Sequence, residues 1–490
     1  MQLAYELSRR CAALRFEDLP PQAVHWAKLG ILDTVGVTVA GSVEPSARIL
    51  GRVIPPSAGA SLVFGSADRT SALDAALING TAAHALDFDD CNNTLGGHPS
   101  APILPALFAL ADERPVDGRA FITAYVAGFE TECKLALGVN FHHYTKGWHP
   151  TATLGVHGAA AAASHLLRLD ARRGATALAI ASSLASGIKA NFGTMTKPLH
   201  VGHCARNGLF ATLLAERDFT ANAGEFEHNQ GFLEVFNGPG TYDAIRILAH
   251  WGAPFDIVEP GIAVKQYPCC GSTHPALDVM LDLVRRHDLR EEAVAGIECW
   301  THARRLEHTN RPDPQSGLEA KFSLQYCLAR ALTNRAIRIE HFEGDAFRDP
   351  AVQAILPRVH AAAYTTTQFP AGNHLGAEVK VTTVGGKVFS GKIDEALGRT
   401  GANPLPMERL NEKFENCIGR ALPGSCARTL ADMIEQLETL ADMRALSALL
   451  CGAAAGRVEQ DHAIPAPQSS VLKSRRRIDF PKAGTTPTRT

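Results

Sequence analysis

The chain has 490 residues, of which 46% are hydrophobic and 20% are charged, and its formal net charge is −2. This length exceeds what one hydrophobic core usually sustains, so two domains are expected. The near-neutral charge argues against a nucleic-acid partner, and the apolar runs break before about 18 residues, which argues against a membrane span. Composition therefore favours a small molecule as the partner.

Eleven cysteines are spread along the chain without a CxxC pair. This pattern is typical of reduced thiols rather than of a disulfide framework. The first ten residues carry a glutamate and lack the apolar stretch of a secretory signal. We therefore expect a cytoplasmic protein.

The first 267 residues have the pattern of helices. Pro20 and Pro21 precede apolar residues at three- and four-residue spacing from Val24 to Val35, which indicates one buried helix face. Further helices are predicted over Ala72–Ala85, Pro102–Ala111, Phe121–Leu137, Thr153–Leu167 and Ala175–Ala185. Their interiors are rich in alanine and glycine, which let helices approach closely. We expect an all-helical domain over residues 1–267.

The pattern changes after Pro268. Ala295–Thr301 alternates like a strand, and Ala377–Val384 alternates and then turns at Gly385 and Gly386 into Lys387–Ser390, which indicates a hairpin. The segments Ala320–Leu332 and Asp349–His360 are predicted to be helical. We therefore expect a smaller α+β lid domain over residues 268–395.

The last part of the chain is predicted to return to the first domain. Met407–Phe414 and Cys426–Leu450 have helical patterns, so residues 396–455 complete the helical domain. Residues 456–490 are rich in Pro, Ser, Thr and basic residues, and predict a disordered tail. The expected fold class is mostly α, with a large helical domain and the smaller α+β lid.

The strongest indication of chemistry lies between Asp87 and Pro99, where three carboxylates and His98 follow an apolar helix. Acids at the end of a buried helix are costly unless they are paired, hydrogen-bonded or used. A functional site is one explanation, and a solvated acidic turn is the other.

Three more segments combine ionisable residues with glycine or proline. Residues 141–150 contain Tyr144 and His149, residues 193–203 contain Lys197 and His200, and residues 265–274 end at His274. Lysine and histidine can hold substrate carboxylates, and aspartate or histidine can move a proton at carbon. The last segment lies at the expected domain boundary, where a cleft commonly holds a site.

The sequence gives little support for a metal. His200 and His203 are three residues apart, and Asp87 and its neighbours offer oxygen atoms, but no HExxH or calcium-loop pattern occurs. Lys197 beside the two histidines also disfavours a cation. No metal is predicted.

Taken in order, these segments resemble the MmgE/PrpD family, which includes 2-methylcitrate dehydratase, cis-aconitate decarboxylase and iminodisuccinate epimerase. The matching motifs are Leu29–Gly41, Asp87–Asp90 with His98–Ser100, His149–Gly155, Thr196–His200 with Ala205–Gly208, Lys265–His274, Asn310–Pro312 and Asn403–Met407. They span residues 5–455. The resemblance implies a helical domain with an α+β lid, a homodimer, and catalysis without a metal or an organic cofactor.

The resemblance also implies roles for individual residues. Those matched to catalytic positions are Asp87, His98, His149, Lys197 and the lid histidine His274. Substrate contacts are expected from Cys91, Tyr144, His200 and His308. Two of these depart from the decarboxylase pattern, which has threonine at the position of Cys91 and tyrosine at that of His308.

The leading functional hypothesis is a cofactor-independent lyase that acts on a small di- or tricarboxylate. Lys197 and His149 would hold carboxylates, while Asp87 and His98 would transfer protons. Dehydration and decarboxylation both fit the pattern. The alternatives are an epimerase or racemase of an amino- or imino-dicarboxylate, and a non-catalytic carboxylate-binding protein.

Overall fold

The computed structural model describes residues 2–55 and 57–452, whose buried side chains form two large hydrophobic cores. The larger core joins residues between Leu3 and Val264 with residues between Leu405 and Leu450. The smaller core joins residues between Tyr267 and Val381. We call these parts the helical region and the sheet region. The predicted fold class is confirmed, whereas the domain boundaries at 267 and 395 stay a prediction and the tail over 456–490 lies outside the described residues.

Helices make up almost all of the helical region. Before residue 264 they are α1 (Leu3–Ala13), α2 (Pro21–Gly41), α3 (Pro45–Val53), α4 (Ala72–Ala85), α5 (Ser100–Glu113), α6 (Gly118–Val139), α7 (His142–Lys146), α8 (Pro150–Thr153), α9 (Gly155–Leu166), α10 (Ala171–Leu184), α11 (Thr196–Glu216) and α12 (Ala244–Leu248). Two short paired strands, β1 (Ser61–Leu62) and β2 (Arg69–Thr70), precede α4. None of the helices in the described chain is long and apolar enough to cross a membrane.

The sheet region carries a four-stranded sheet with helices packed on it. Its elements are α13 (His274–His287), β3 (Val294–Thr301), α14 (Ala303–Thr309), α15 (Gly317–Ala320), α16 (Leu324–Asn334), α17 (Pro350–Ile355), β4 (Val359–Ala363), β5 (Ala377–Thr383) and β6 (Val388–Ile393). The strand order is β4-β3-β5-β6, with β3 parallel to β4 and antiparallel to β5. The predicted hairpin is confirmed as β5 and β6, and Gly386 takes the positive φ of 79° at its turn.

The last helices, α18 (Met407–Ile418), α19 (Ser425–Glu435) and α20 (Arg444–Leu449), contribute to the larger core. The helix predicted over Cys426–Leu450 is therefore broken into parts. The prediction over Asp349–His360 is also partly wrong, because Val359 and His360 belong to β4 and pair with β3. The helix predicted over Ala320–Leu332 is interrupted where Ser323 caps α16 by accepting a hydrogen bond from the Tyr326 N–H.

The crossing of α4 and α11 sets the position of the site. A Cβ atom on Gly202 would lie 2.2 Å from the Leu77 carbonyl oxygen, and one on Gly80 would lie 2.8 Å from the Gly202 Cα. The two helices therefore touch through backbone, which requires glycine at both positions. This close approach brings the first turn of α11, with Lys197, against the C-terminal end of α4, where Asp87 follows.

Candidate active site

A cavity of about 380 Å³ lies where the helical and sheet regions meet. Segments from both regions line it, including the connections after α4 and before α8, the first turn of α11 and the helix α14. The ionisable and aromatic lining residues are Asp87, Cys91, His98, Phe141, Tyr144, His149, Phe192, Lys197, Lys265, Cys270, Arg304, Arg305, His308, Phe322, His374 and Arg399. Basic side chains outnumber acidic ones strongly in this lining.

Asp87 is the one carboxylate in the described lining, and two lysines hold it. Its Oδ1 lies 2.6 Å from the Nζ of Lys197 and 3.2 Å from the Nζ of Lys265, which also donates to the Asp87 carbonyl at 2.7 Å. Burial by itself would raise the pKa of Asp87, but the two lysines hold this pKa well below its usual range. Asp87 is therefore ionised and buried, which excludes the solvated acidic turn.

His98 shares a carboxylate with a second histidine. Its Nδ1 lies 3.1 Å from the Asp89 Oδ2, and the Nδ1 of His84 donates to the same carboxylate at 2.8 Å. Burial opposes protonation of His98, but Asp89 and Cys91 raise its pKa to about 10. Burial lowers the pKa of His84 to about 3. At neutral pH, His98 is thus an imidazolium, able to donate a proton, and His84 is neutral.

The third acid of the run has a structural role. Asp90 accepts from the hydroxyl and the N–H of Ser100, whose Oγ lies 2.5 Å from the Tyr125 hydroxyl. Burial and the nearby Asp33 raise the pKa of Asp90 well above its usual range. Asp90 is therefore a core residue whose hydrogen bonds fix the start of α5.

Cys91 faces the cavity beside His98. Its Sγ lies 3.7 Å from the His98 Nδ1. Its main chain pairs with Ala263 through two hydrogen bonds of 2.8 and 2.7 Å. This pairing fixes the acidic run against the segment that carries Lys265.

His149 and His200 form a pair of neutral rings. The Nδ1 of His149, directly before α8, lies 3.3 Å from the Nδ1 of His200 on α11. Burial lowers the pKa of His149 well below its usual range and that of His200 to about 4. His149 lines the cavity, and the described lining does not include His200, which contacts His149 instead.

Arginines also line the cavity. Arg305 on α14 lies 3.4 Å from the Ser272 Oγ through its Nη1, and its Nε bonds the carbonyl of His374. The Nε of Arg399 is buried without a hydrogen-bond partner among the described residues. Burial, and then the charge of Arg399, lower the pKa of Arg305 to about 9. Neighbouring guanidinium groups without a carboxylate favour an anionic ligand.

Of the remaining predicted residues, Tyr144 and His308 line the cavity and His274 does not. Tyr144 lines it, with the Nζ of Lys189 3.6 Å from its ring centre. His308 also lines it, with its Nε2 3.1 Å from the Ser272 Oγ, and burial lowers its pKa to about 4. His274 is absent from the described lining, because its Nε2 points to the Cys269 carbonyl at 3.3 Å. A catalytic role for His274 stays a prediction.

Four basic residues of the cavity escaped the sequence prediction, namely Lys265, Arg304, Arg305 and Arg399. Lys265 belongs to a segment that the sequence singled out, so its position beside glycine and cysteine residues was an available signal. Arg399 follows Gly398 in a loop and has no local pattern that separates it from a surface arginine. The two arginines of α14 come after a strand, and only the packing of that helix turns them inward.

One cluster of side chains in the described residues has the atom types of a metal site. It comprises His84, Asp87, Asp89 and His98, whose ligand atoms lie within 4.8 Å of one another. Lys197 and Lys265 already contact the Asp87 carboxylate, and the His98 imidazolium contacts the Asp89 carboxylate. These cations would repel a divalent ion at such distances. The arrangement therefore favours an internal network of charges.

The fold and the cavity define a mostly helical protein with a smaller sheet region and a basic cavity where the two meet. Residues 5–244 match the MmgE/PrpD N-terminal domain and residues 267–439 match the MmgE/PrpD C-terminal domain. The chain therefore belongs to the MmgE/PrpD family.

Named relatives cover almost the whole chain. Cis-aconitate decarboxylase of Homo sapiens is 31% identical over 451 residues, which are 90% of this chain and 92% of the human protein. The Mus musculus enzyme of the same name is 29% identical over 457 residues, covering 90% and 91%. The Aspergillus terreus enzyme is 27% identical over 473 residues, covering 91% and 95%.

Proposed function

We propose that the protein is a cofactor-independent lyase that releases carbon dioxide from a small tricarboxylate of the cis-aconitate kind. One observation carries the proposal: Arg305 and Arg399 face the cavity without a carboxylate among the described residues, and the buried Nε of Arg399 lacks a partner. A substrate carboxylate would satisfy this donor and offset the repulsion between the guanidinium groups. The likeness to cis-aconitate decarboxylases supports the choice of substrate class.

Substrate binding is assigned to the cationic groups. Arg305 and Arg399 bind two carboxylates, and Lys197, in the first turn of α11, lies close to a third. Lys197 keeps a fixed position because its Nζ donates a hydrogen bond to the Asp87 Oδ1 at 2.6 Å. The strongly depressed pKa makes Asp87 a weak base, so we assign it to holding Lys197 and Lys265 rather than to proton transfer.

Decarboxylation requires a group that stabilises the electron pair of the broken bond and a group that protonates carbon. The carbon–carbon bond to one carboxylate breaks, carbon dioxide leaves, and the electron pair spreads into a neighbouring carboxylate. Lys197 stabilises the charge that develops there. His98 then transfers a proton to carbon, and Asp89 holds the neutral imidazole through its Nδ1 side at 3.1 Å.

The neutral histidines complete the binding surface. Because its pKa is strongly lowered, His149 adds a hydrogen bond to the substrate and no charge. His200 fixes the ring of His149 through the contact of 3.3 Å between their Nδ1 atoms. His200 is thus a positioning residue.

Proton NMR in deuterated water, with a parallel assay for carbon dioxide, tests the proposal on four acids: cis-aconitate, citrate, methylcitrate and iminodisuccinate. Carbon dioxide release from cis-aconitate with one deuterium incorporated at carbon is expected. Loss of water alone would identify a dehydratase, exchange without net loss an epimerase, and thermal stabilisation without turnover a binding protein. Each of these three results would overturn the decarboxylase assignment.

The homodimer implied by the family resemblance and the cytoplasmic localisation stay predictions. Light scattering from the purified chain tests the first, and fractionation of cells that express the chain tests the second.

A further inference from the structure

Cys91 is a nucleophile-type group that the proposed reaction does not use. The residue is buried, yet its side chain lines the cavity. The Sγ lies 3.7 Å from the Nδ1 and 4.0 Å from the Nε2 of His98, so it faces the imidazolium ring. Two main-chain hydrogen bonds to Ala263 hold the residue in this place. The sulfur is thus fixed beside the proton donor and open to whatever the cavity binds.

The surroundings favour the thiolate form of Cys91. Burial alone would raise its pKa, but His98, Lys265 and Arg399 lower it to about 6. The nearby carboxylates act in the opposite sense, with Asp89 bound to His98 and Asp87 bound to Lys265. A second cavity cysteine offers an internal comparison, because burial and the charge of Asp87 raise the pKa of Cys270. Of the two, Cys91 is the one placed to react.

The cavity selects the reaction partner by charge. Arg305 and Arg399 favour a carboxylate, and an unsaturated carboxylate is also an electrophile at the carbon beyond its double bond. We propose that Cys91 adds covalently to α,β-unsaturated carboxylates that bind in this cavity. This inference rests on the proposed function only because that function places a carboxylate in the cavity. It does not require that the carboxylate is converted to product.

Cys91 and His98 together supply the nucleophile and the proton that the addition requires. The Cys91 sulfur forms a bond to the β-carbon, the π bond of the alkene breaks, and its electron pair moves to the α-carbon. His98 delivers its proton to that carbon, so a neutral imidazole and a thioether remain. The reverse step, in which His98 removes the proton and the thiolate leaves, restores both groups. An unsaturated carboxylate that adds to Cys91 therefore inhibits reversibly, because the adduct leaves His98 without the proton that it would donate.

Intact-mass spectrometry of the full-length protein with monomethyl fumarate tests the proposal, because this probe keeps one carboxylate and has an ester-activated alkene. We expect the first adduct to form on Cys91, as mapped by peptide analysis. Dimethyl fumarate, which is more electrophilic but uncharged, reacts with Cys91 at least about tenfold more slowly than the monoester, since the cavity attracts only the anion. At the exposed Cys451 the more electrophilic diester should react faster than the monoester, which provides an internal control.

Two variants at position 91 and two at other cysteines make the result decisive. Cys91→Ser and Cys91→Thr abolish the adduct, whereas Cys270→Ser and Cys451→Ser keep it. Thermal stabilisation by citrate establishes that each variant is folded and binds carboxylates. An adduct on Cys270 or Cys451 instead of Cys91, or no adduct on a protein that citrate stabilises, would overturn the proposal. An active decarboxylase without an adduct would refute this inference alone, and an adduct without turnover would refute only the proposed function.

Discussion

The two walls of the cavity differ in whether their charged side chains are paired with a charge of opposite sign. On the helical wall, Asp87 is paired with Lys197 and the Asp89 carboxylate is paired with His98. On the wall formed by α14 and by the loop before α18, which we call the sheet wall, Arg305 and Arg399 belong to none of the ion pairs among the described residues. Paired charges have fixed positions and protonation states, whereas cations without a carboxylate partner gain by binding an anion. In the proposed function, the helical wall performs the chemistry and the sheet wall captures the substrate.

The largest effect is expected on the helical wall, from Lys197→Ala. Loss of its charge removes stabilisation of the transition state and leaves Asp87 with Lys265 and with the His98 Nε2 at 3.6 Å, so kcat should fall at least ~100-fold. Steady-state kinetics on cis-aconitate measures this effect. The matched control is Lys387→Ala, at an exposed lysine of the β5–β6 hairpin, and its kcat should equal that of the wild type. Near-normal turnover in Lys197→Ala would contradict the assignment.

A different kind of defect is expected on the sheet wall. Arg399→Ala removes a guanidinium that binds the substrate and the transition state alike, so KM should rise about 10- to 100-fold with a smaller change in kcat. The matched control is Arg172→Ala, an exposed arginine paired with Asp218. If Arg399→Ala lowered kcat and left KM unchanged, the division of labour between the walls would be wrong.

The protonation state of His98 gives a prediction on pH dependence. Because Asp89 and Cys91 raise the pKa of His98 to about 10 from 6.5, the donor form persists in the wild type until the pH rises to about that value. Asp89→Asn removes the main cause of the increase, so the alkaline limb of kcat/KM should move toward lower pH. Rate profiles of both proteins on cis-aconitate test this. Superimposable limbs would rule out His98 as the acid.

The smallest effect is expected at the position where the family resemblance expects tyrosine. His308 is neutral and contacts Ser272 on the sheet wall, so His308→Tyr exchanges one hydrogen-bonding group for another. We expect kcat/KM to change less than about tenfold, with the same product. Product analysis by NMR decides the point. A change of product would mean that His308 selects the reaction.

Local sequence signals predicted the elements that local interactions define. The bounds of α4 were predicted in full from its alanine-rich apolar run, and the structure shows that Ser71 caps its first turn. The β5–β6 hairpin was predicted because glycines supply its turn. The strand β4 was missed because its pairing with β3 comes from a distant part of the chain, which no local pattern records.

The same distinction applies to the site. Asp87, His98 and Lys197 stand in segments whose composition is itself unusual, and the structure brings all three together at the cavity. Arg305 and Arg399 stand in ordinary segments, on α14 and in the loop before α18, and come together at the cavity only in the folded chain. The residues of the helical wall can therefore be predicted from the sequence more readily than those of the sheet wall.

A crystal structure with propane-1,2,3-tricarboxylate would test the division between the two walls most directly, because this saturated acid can neither lose carbon dioxide nor add to a thiol. Its carboxylates should contact the guanidinium groups of Arg305 and Arg399, with a third near Lys197. Its central carbon should then face the ring of His98. A ligand that left both arginines free, or that bound outside the cavity, would contradict the account.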